Sequence, residues 1–264
     1  MSLLLDERQQ AMLQEMGVRV FQSHPHPGRI DDTPPVPARQ AGGEPAVVAG
    51  GEVRASQPLA RARPALAPAA SGIELMQWDQ LAQTVAECRA CGLCEGRRNT
   101  VFGTGDRQAD WLIVGEAPGE SEDLQGVPFV GQAGLLLDNM LKALGLNRRQ
   151  KVYITNVLKC RPPGNRNPEP HEVAQCEPYL RRQVQLLQPR IILAMGRFAV
   201  QALLQSNEPI GKLRGSVHRY QGVPVVVTYH PAYLLRNLPD KAKAWADLCL
   251  ALEVLEQPAP ASHG

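Results

Sequence analysis

Aromatic side chains are scarce in this 264-residue chain: four Phe, five Tyr and three Trp, 5% of the residues. Excess charge is also lacking, since 28 Lys and Arg stand against 26 Asp and Glu, a formal net charge of +2. Affinity for a polyanion is therefore not written in the overall charge and would need local clusters of basic residues. No apolar run approaches the roughly 20 residues that cross a bilayer, so no membrane partner is expected. The N-terminus carries Asp6 and Glu7 and has no signal-peptide apolar core. Without an export signal, the six cysteines suit metal ligation in a reducing compartment better than disulfides. A cytoplasmic location is expected.

What the chain does contain falls into distinct stretches. Residues 1–23 carry a short amphipathic helix pattern, with Leu3, Leu4, Leu5, Met12, Leu13, Met16 and Val18 set against Asp6, Glu7, Arg8, Gln9 and Gln10. Residues 24–72 are rich in Pro, Ala, Gly and Arg and poor in large apolar residues. Such a segment buries too little to offset its ordering entropy, and a disordered linker is expected. A folded domain is expected over 73–257 and a flexible tail over 258–264. Within the domain, helical periodicity runs from about Glu74 to Arg89 and over Gln132–Leu144, Glu169–Leu187, Arg197–Gln205 and Asp240–Leu255. Apolar β runs fall at Trp111–Gly115, Val152–Asn156, Arg190–Met195 and Pro224–Tyr229. Alternating strands and helices with uniformly apolar strands predict an α/β fold, a three-layer α/β/α sandwich around a four-stranded parallel sheet. Ligands of such sheets sit beyond the carboxyl ends of the strands. Gly115-Glu116-Ala117-Pro118-Gly119 and His230-Pro231-Ala232-Tyr233-Leu234-Leu235-Arg236 each leave a strand end, so they can converge on one pocket although far apart in sequence.

Cys88 and Cys91 form a C-x2-C pair, and Cys160 and Cys176 flank a loop rich in Pro and Arg. One tight pair plus two remote thiols suits a four-thiolate site holding zinc or a [4Fe–4S] cluster, and spacing does not separate the two. Cys94 extends the pair into a ferredoxin-like C-x2-C-x2-C run, or else is a small buried apolar residue. Cys249 lies on an apolar helical face and reads as core.

Taken together, C-x2-C, VFGTG (101–105), GEAPG (115–119), PFVG within 126–134, VYITNVLKCRPP (152–163), Cys176 and HPAYLLR (230–236) resemble the family 4, iron–sulfur uracil-DNA glycosylases in order and spacing. The resemblance runs from about Cys88 to Arg236. It implies that Cys88, Cys91, Cys160 and Cys176 ligate a [4Fe–4S] cluster in preference to zinc, with Cys94 outside the set. It also implies a DNA repair enzyme that flips uracil out of single- or double-stranded DNA and hydrolyses its glycosidic bond, leaving an abasic site. No lyase step is expected.

Each residue then has an expected part. Phe129 offers a face on which the base stacks, worth about 1–3 kcal/mol. Asn156, at a strand end, presents a donor and an acceptor to the uracil edge, a pattern that cytosine reverses. Glu122 crowds the position of a thymine methyl. His230 donates to uracil O2 as negative charge develops, an oxyanion-type contribution. Ala117 occupies the position where the better-known branch of the superfamily has an Asp, so it contacts the base without serving as one. Glu116 is the expected water-orienting group. Leu234 is the expected wedge into the vacated stack, and Arg161, Arg166, Arg214 and Arg236 are the expected phosphate contacts.

Two other classes fit parts of the pattern: a covalently trapping uracil-DNA binder, and a zinc-stabilised, non-catalytic interaction protein. The trapping branch carries a His-containing loop after the Asn strand, where this chain has Lys159-Cys160-Arg161-Pro162-Pro163. The 1–23 segment suits a docking peptide for a replication or repair protein, on an otherwise monomeric enzyme.

Overall fold

The computed structural model describes residues 72–257. The helix expected over 1–23, the tail over 258–264 and all of the 24–72 linker except Gly72 lie outside the described residues.

Six strands, β1 (Thr104–Gly105), β2 (Trp111–Gly115), β3 (Val152–Asn156), β4 (Ile191–Met195), β5 (Val217–Tyr220) and β6 (Val223–Thr228), form one sheet in the order β1-β3-β2-β4-β6-β5. Pairing is parallel between β2 and β3, β2 and β4, and β4 and β6. The edge strands β1 and β5 run antiparallel to their neighbours. The sheet is thus six-stranded and mixed, not the expected four-stranded parallel one. Neither edge strand has an apolar run to announce it. β1 has two residues, and a Cβ on Gly105 would fall 2.2 Å from the Val152 carbonyl oxygen, so only glycine lets this edge close. β5 is the polar sequence Val217-His218-Arg219-Tyr220, joined to β6 by Gln221 and Gly222, both at positive φ (49° and 83°). That is the two-residue hairpin geometry matched to strand twist.

Among the described residues eight α-helices accompany the sheet: α1 (Trp78–Glu87), α2 (Glu120–Gln125), α3 (Gln132–Ala143), α4 (Pro170–Leu187), α5 (Arg197–Leu204), α6 (Ile210–Leu213), α7 (Pro231–Leu234) and α8 (Asp240–Glu256). Side chains alternate across a strand, and here both sets are apolar. Trp111, Ile113, Ile154, Leu193 and Val226 pack with Leu137, Met140 and Leu141 of α3 and with Trp245 and Leu248 of α8. On the opposite face Leu112, Val114, Tyr153, Ile192 and Val225 pack with Leu180 and Val184 of α4 and with Val200 and Leu203 of α5. Helices therefore cover both faces, which is why the central strands read as continuous apolar runs. The first helix is shorter than its periodicity suggests, because a 3-10 turn, Ile73–Leu75, precedes it and Cys88 leaves the helical conformation.

Two expected DNA-contacting residues belong instead to this core. Leu234 is fully buried, packed with the α3 and α8 side chains. Arg214 is fixed by buried Asp247, with Nη2 2.8 Å from Oδ1 and Nε 3.1 Å from Oδ2, and also donates to the Lys243 carbonyl. Its guanidinium lies over the Tyr229 ring at 5.4 Å. A guanidinium so engaged is not free for phosphate. Removing one partner of such a pair strands the other charge in the interior. Asp247→Ala is expected to lose about 3–5 kcal/mol in urea unfolding, and Arg214→Met combined with Asp247→Leu to recover most of that loss.

Candidate active site and candidate metal centre

The carboxyl ends of the parallel strands open on a cavity of about 780 Å³. Its wall includes Glu116, Ala117, Glu122, Phe129, Asn156 and His230, every expected catalytic and base-contacting residue. The β2–β3 register sets Gly115 opposite Asn156, and pairing continues past the strand ends through Val157 N–H to Gly115 O (3.0 Å) and Leu158 N–H to Glu116 O (3.0 Å). Asn156 and the Glu116 turn are held together by backbone before any side chain acts. Across the sheet, Gly196 N–H donates to Thr228 O at 3.0 Å, and a Cβ on Gly196 would approach the His230 Cβ to 3.0 Å. The β4 and β6 ends thus seat His230 over a glycine.

Asn156 is buried, and its Oδ1 lacks a hydrogen-bond partner. An orphaned buried acceptor costs about 1–3 kcal/mol, a cost that persists where a ligand donor is meant to relieve it. His230 Nδ1 accepts from Ala232 N–H at 3.2 Å, so the imidazole proton sits on Nε2, the nitrogen left to donate. Burial draws the His230 pKa down to about 4, with Arg236 adding to the shift and Glu122 opposing it. At neutral pH the ring is an uncharged donor. Burial pushes the Glu116 carboxyl up to about 7, against the pull of Arg197. A carboxyl poised there can take up or release a proton at physiological pH.

Phe129 and His230 stack, with ring centroids 5.3 Å apart and planes 27° off parallel. Phe129 has a left-handed φ of 55°, unusual for an aromatic residue. Arg148 holds it there: Nη1 donates to Pro128 O (3.0 Å), Nη2 to Phe129 O (2.5 Å) and Gly134 O (3.2 Å), and Nε pairs with Asp138. Glu122 is a clamp between two loops. Its Oε2 accepts from Gly119 N–H (3.0 Å) and its Oε1 from Val130 N–H (3.0 Å) and Gly131 N–H (3.3 Å). The isolated sequence marked neither role. Arg148 sits in an unremarkable polar turn, and Glu122 by itself reads as a solvated loop charge.

The rim is only partly as expected. Arg236 is exposed and lines the cavity. Arg166 lines it too, but its guanidinium is paired with buried Glu172 (Nη2–Oε1 2.5 Å, Nη1–Oε2 3.0 Å) and with Glu169 (3.2 Å). Arg161 Nε donates to Asn165 Oδ1 at 2.7 Å, with Glu120 3.9 Å from its Nη1. On α7 and the turn after it, Leu235 and Leu238 are the exposed leucines (41% and 59%), not Leu234. Arg197, unmarked in the sequence, lines the cavity with its guanidinium 4.6 Å from the centre of the Phe198 ring.

A second, smaller cavity is lined by Cys88, Cys91, Cys94, Cys160 and Cys176, together with Arg97 and Lys159. Arg97 Nη1 donates to Cys160 Sγ at 3.1 Å. Burial raises the thiol pKa values of Cys91, Cys160 and Cys176, the last to about 12. Lys159 is almost fully buried, and its Nζ donates to Thr155 Oγ1 (2.7 Å), Asn156 O (2.7 Å) and Gln183 Oε1 (2.8 Å). Among the described residues, the group of His, Cys, Asp and Glu with ligand atoms all within 4.8 Å of one another is Glu169, His171 and Glu172; no three thiols come that close together. In that group Glu172 is already neutralised by Arg166.

A Cβ added to Gly115 would meet Asn156 Oδ1 at 2.4 Å and Phe129 Cζ at 2.5 Å. Both groups would have to move. A displacement near 1 Å at such a site costs about 100-fold, so Gly115→Ala is expected to lower kcat/KM by about that factor on uracil-containing DNA. The thermal unfolding midpoint should fall by only a few degrees.

The model of the uracil DNA glycosylase superfamily matches residues 102–249. A type-4 uracil-DNA glycosylase of Archaeoglobus fulgidus is 45% identical over 165 residues, covering 60% of this chain and 82% of that protein. Those of Saccharolobus solfataricus and Pyrobaculum aerophilum are 44% and 43% identical, covering 61% and 66% of this chain and 78% and 93% of theirs. The matched span holds Glu116, Phe129, Asn156 and His230, the four groups gathered at the strand ends, and the chain belongs to the uracil-DNA glycosylase superfamily.

Proposed function

We propose that this chain is a monofunctional uracil-DNA glycosylase of the type-4 branch, acting in base excision repair. The observation that carries the reading is the buried, unpartnered Oδ1 of Asn156, in the same cavity wall as the Nε2–H of a neutral His230. Oδ1 accepts N3–H of an extruded uracil and the amide nitrogen donates to O4. Cytosine presents neither pattern and would leave both groups mismatched in a desolvated site. Phe129 supplies the stacking face, and Glu122 fixes the loops on either side of the pocket. As the glycosidic bond lengthens, negative charge gathers on the base. His230 stabilises it as a donor that needs no prior protonation. Glu116 orients the attacking water and takes its proton, a role that the elevated carboxyl pKa suits. Ala117 contacts the base. Arg236 at the rim meets phosphate, and exposed Leu235 carries the wedge role that buried Leu234 does not.

Cys88, Cys91, Cys160 and Cys176 fit a metal centre: one half-buried and three buried cysteines around one cavity, with an arginine hydrogen-bonded to a sulfur. The motif resemblance favours a [4Fe–4S] cluster over zinc. When bound, the cluster supplies a covalent cross-link among the 88–94 loop, the segment after β3 and helix α4. The reading places the enzyme in the cytoplasm as a monomer, with residues 1–23 as a docking peptide for a replication or repair protein.

The protein is to be incubated with uracil-containing single- and double-stranded oligonucleotides, then tested for alkali-labile sites and for SDS-resistant adducts. Turnover without adducts is expected. Adducts would point to the trapping class, and neither product to an interaction protein. Because Glu116 must be ionised to act, single-turnover activity should rise as pH passes upward through about 7. In Glu116→Gln that rise should vanish, with the rate down by roughly 100- to 10,000-fold.

A further inference from the structure

We infer that Lys159 is a positioning residue that couples the cysteine cage to the uracil pocket, its ammonium balancing the charge of the metal centre while it holds the Asn156 carbonyl. The inference rests on the type-4 reading of the cage given above. A lysine this deeply buried is rare unless paired, and the partners of Lys159 Nζ, namely Thr155 Oγ1, Asn156 O and Gln183 Oε1, are all neutral. They satisfy its three protons but not its charge. The compensating charge lies on the other side. Lys159 lines the cysteine cavity beside Cys176 and immediately precedes Cys160. Four thiolates around an iron–sulfur core leave a net negative charge in a low-dielectric interior, where a nearby cation counts for much more than in water. Arg97 answers that charge at Cys160 from the rim, and Lys159 answers it from beneath.

The same ammonium reaches the substrate side through the backbone. Asn156 ends β3, its carbonyl oxygen accepts from Nζ at 2.7 Å, and its side chain is the one left unpartnered in the uracil cavity. Thr155 and Gln183, the other two acceptors, both donate to Phe102 O, so the lysine closes a network joining strand β3, helix α4 and the loop before β1. Lys159 does not itself line the uracil cavity. Lys159 acts through Asn156.

The test uses the full-length protein purified anaerobically, with iron and acid-labile sulfide measured in every sample. Lys159→Met removes the ammonium. Lys159→Met with Gln183→Leu removes it together with one acceptor, which limits the unpaired groups left behind if the single variant does not fold. A cation near a cluster favours the reduced state, so the expected result is a cluster reduction potential shifted to more negative values, with kcat/KM for uracil-containing DNA down by roughly tenfold. Arg97→Gln should move the potential the same way. A loaded variant with the parent potential, or with the parent kcat/KM, overturns the proposal. Zinc in the parent protein, or no iron, would reject the cluster assignment itself and the proposal with it.

Discussion

The parallel pairing of β2 with β3, which sets Gly115 beside Asn156, is the constraint on which the site depends. It places a turn rich in backbone N–H groups next to a carboxamide, and it leaves so little space that only a hydrogen is tolerated at residue 115. The Phe129 ring fills what remains, held by Arg148 on its backbone and by His230 against its face. The pocket is therefore tight before any ligand arrives. Such pre-organisation lets a few polar groups discriminate between bases.

Strain and desolvation meet at this end of the sheet. Phe129 sits in the left-handed region, Asn156 keeps an unpaired oxygen, and Glu116 and His230 are both driven toward their neutral forms. Three carboxylates, by contrast, are fully engaged. Asp247 has Arg214, Glu172 has Arg166, and Glu122 accepts from three backbone N–H groups. The contrast separates groups that hold the fold from groups left waiting for a substrate.

Much of this was legible without coordinates. The four long strands and the five long helices follow from apolar periodicity, because both faces of the central strands are buried. Glu116, Asn156 and His230 of the cavity wall were legible because strand ends are where such sheets bind ligands, whereas Glu122 was marked only by the motif resemblance. The errors have a common cause. Leu234 and Arg214 were assigned to the DNA surface from residue type and nearby motif, whereas burial depends on which helix lies above them. Leu234 faces α3 and α8, and Arg214 finds a carboxylate on a helix far along the chain. The edge strands were missed because a two-residue strand and a half-exposed one carry no periodic signal.

By itself the sequence determined which segments become strands and helices, since that depends on local apolar patterning and turn chemistry. It also determined which side chains leave the strand ends. Only the tertiary structure decided which arginines are free, which leucine of the Tyr233–Arg236 stretch is exposed, and that a buried lysine stands between the thiols and the pocket. Those outcomes turn on burial and on pairings between residues distant in the chain. Neither is defined until the layers have packed.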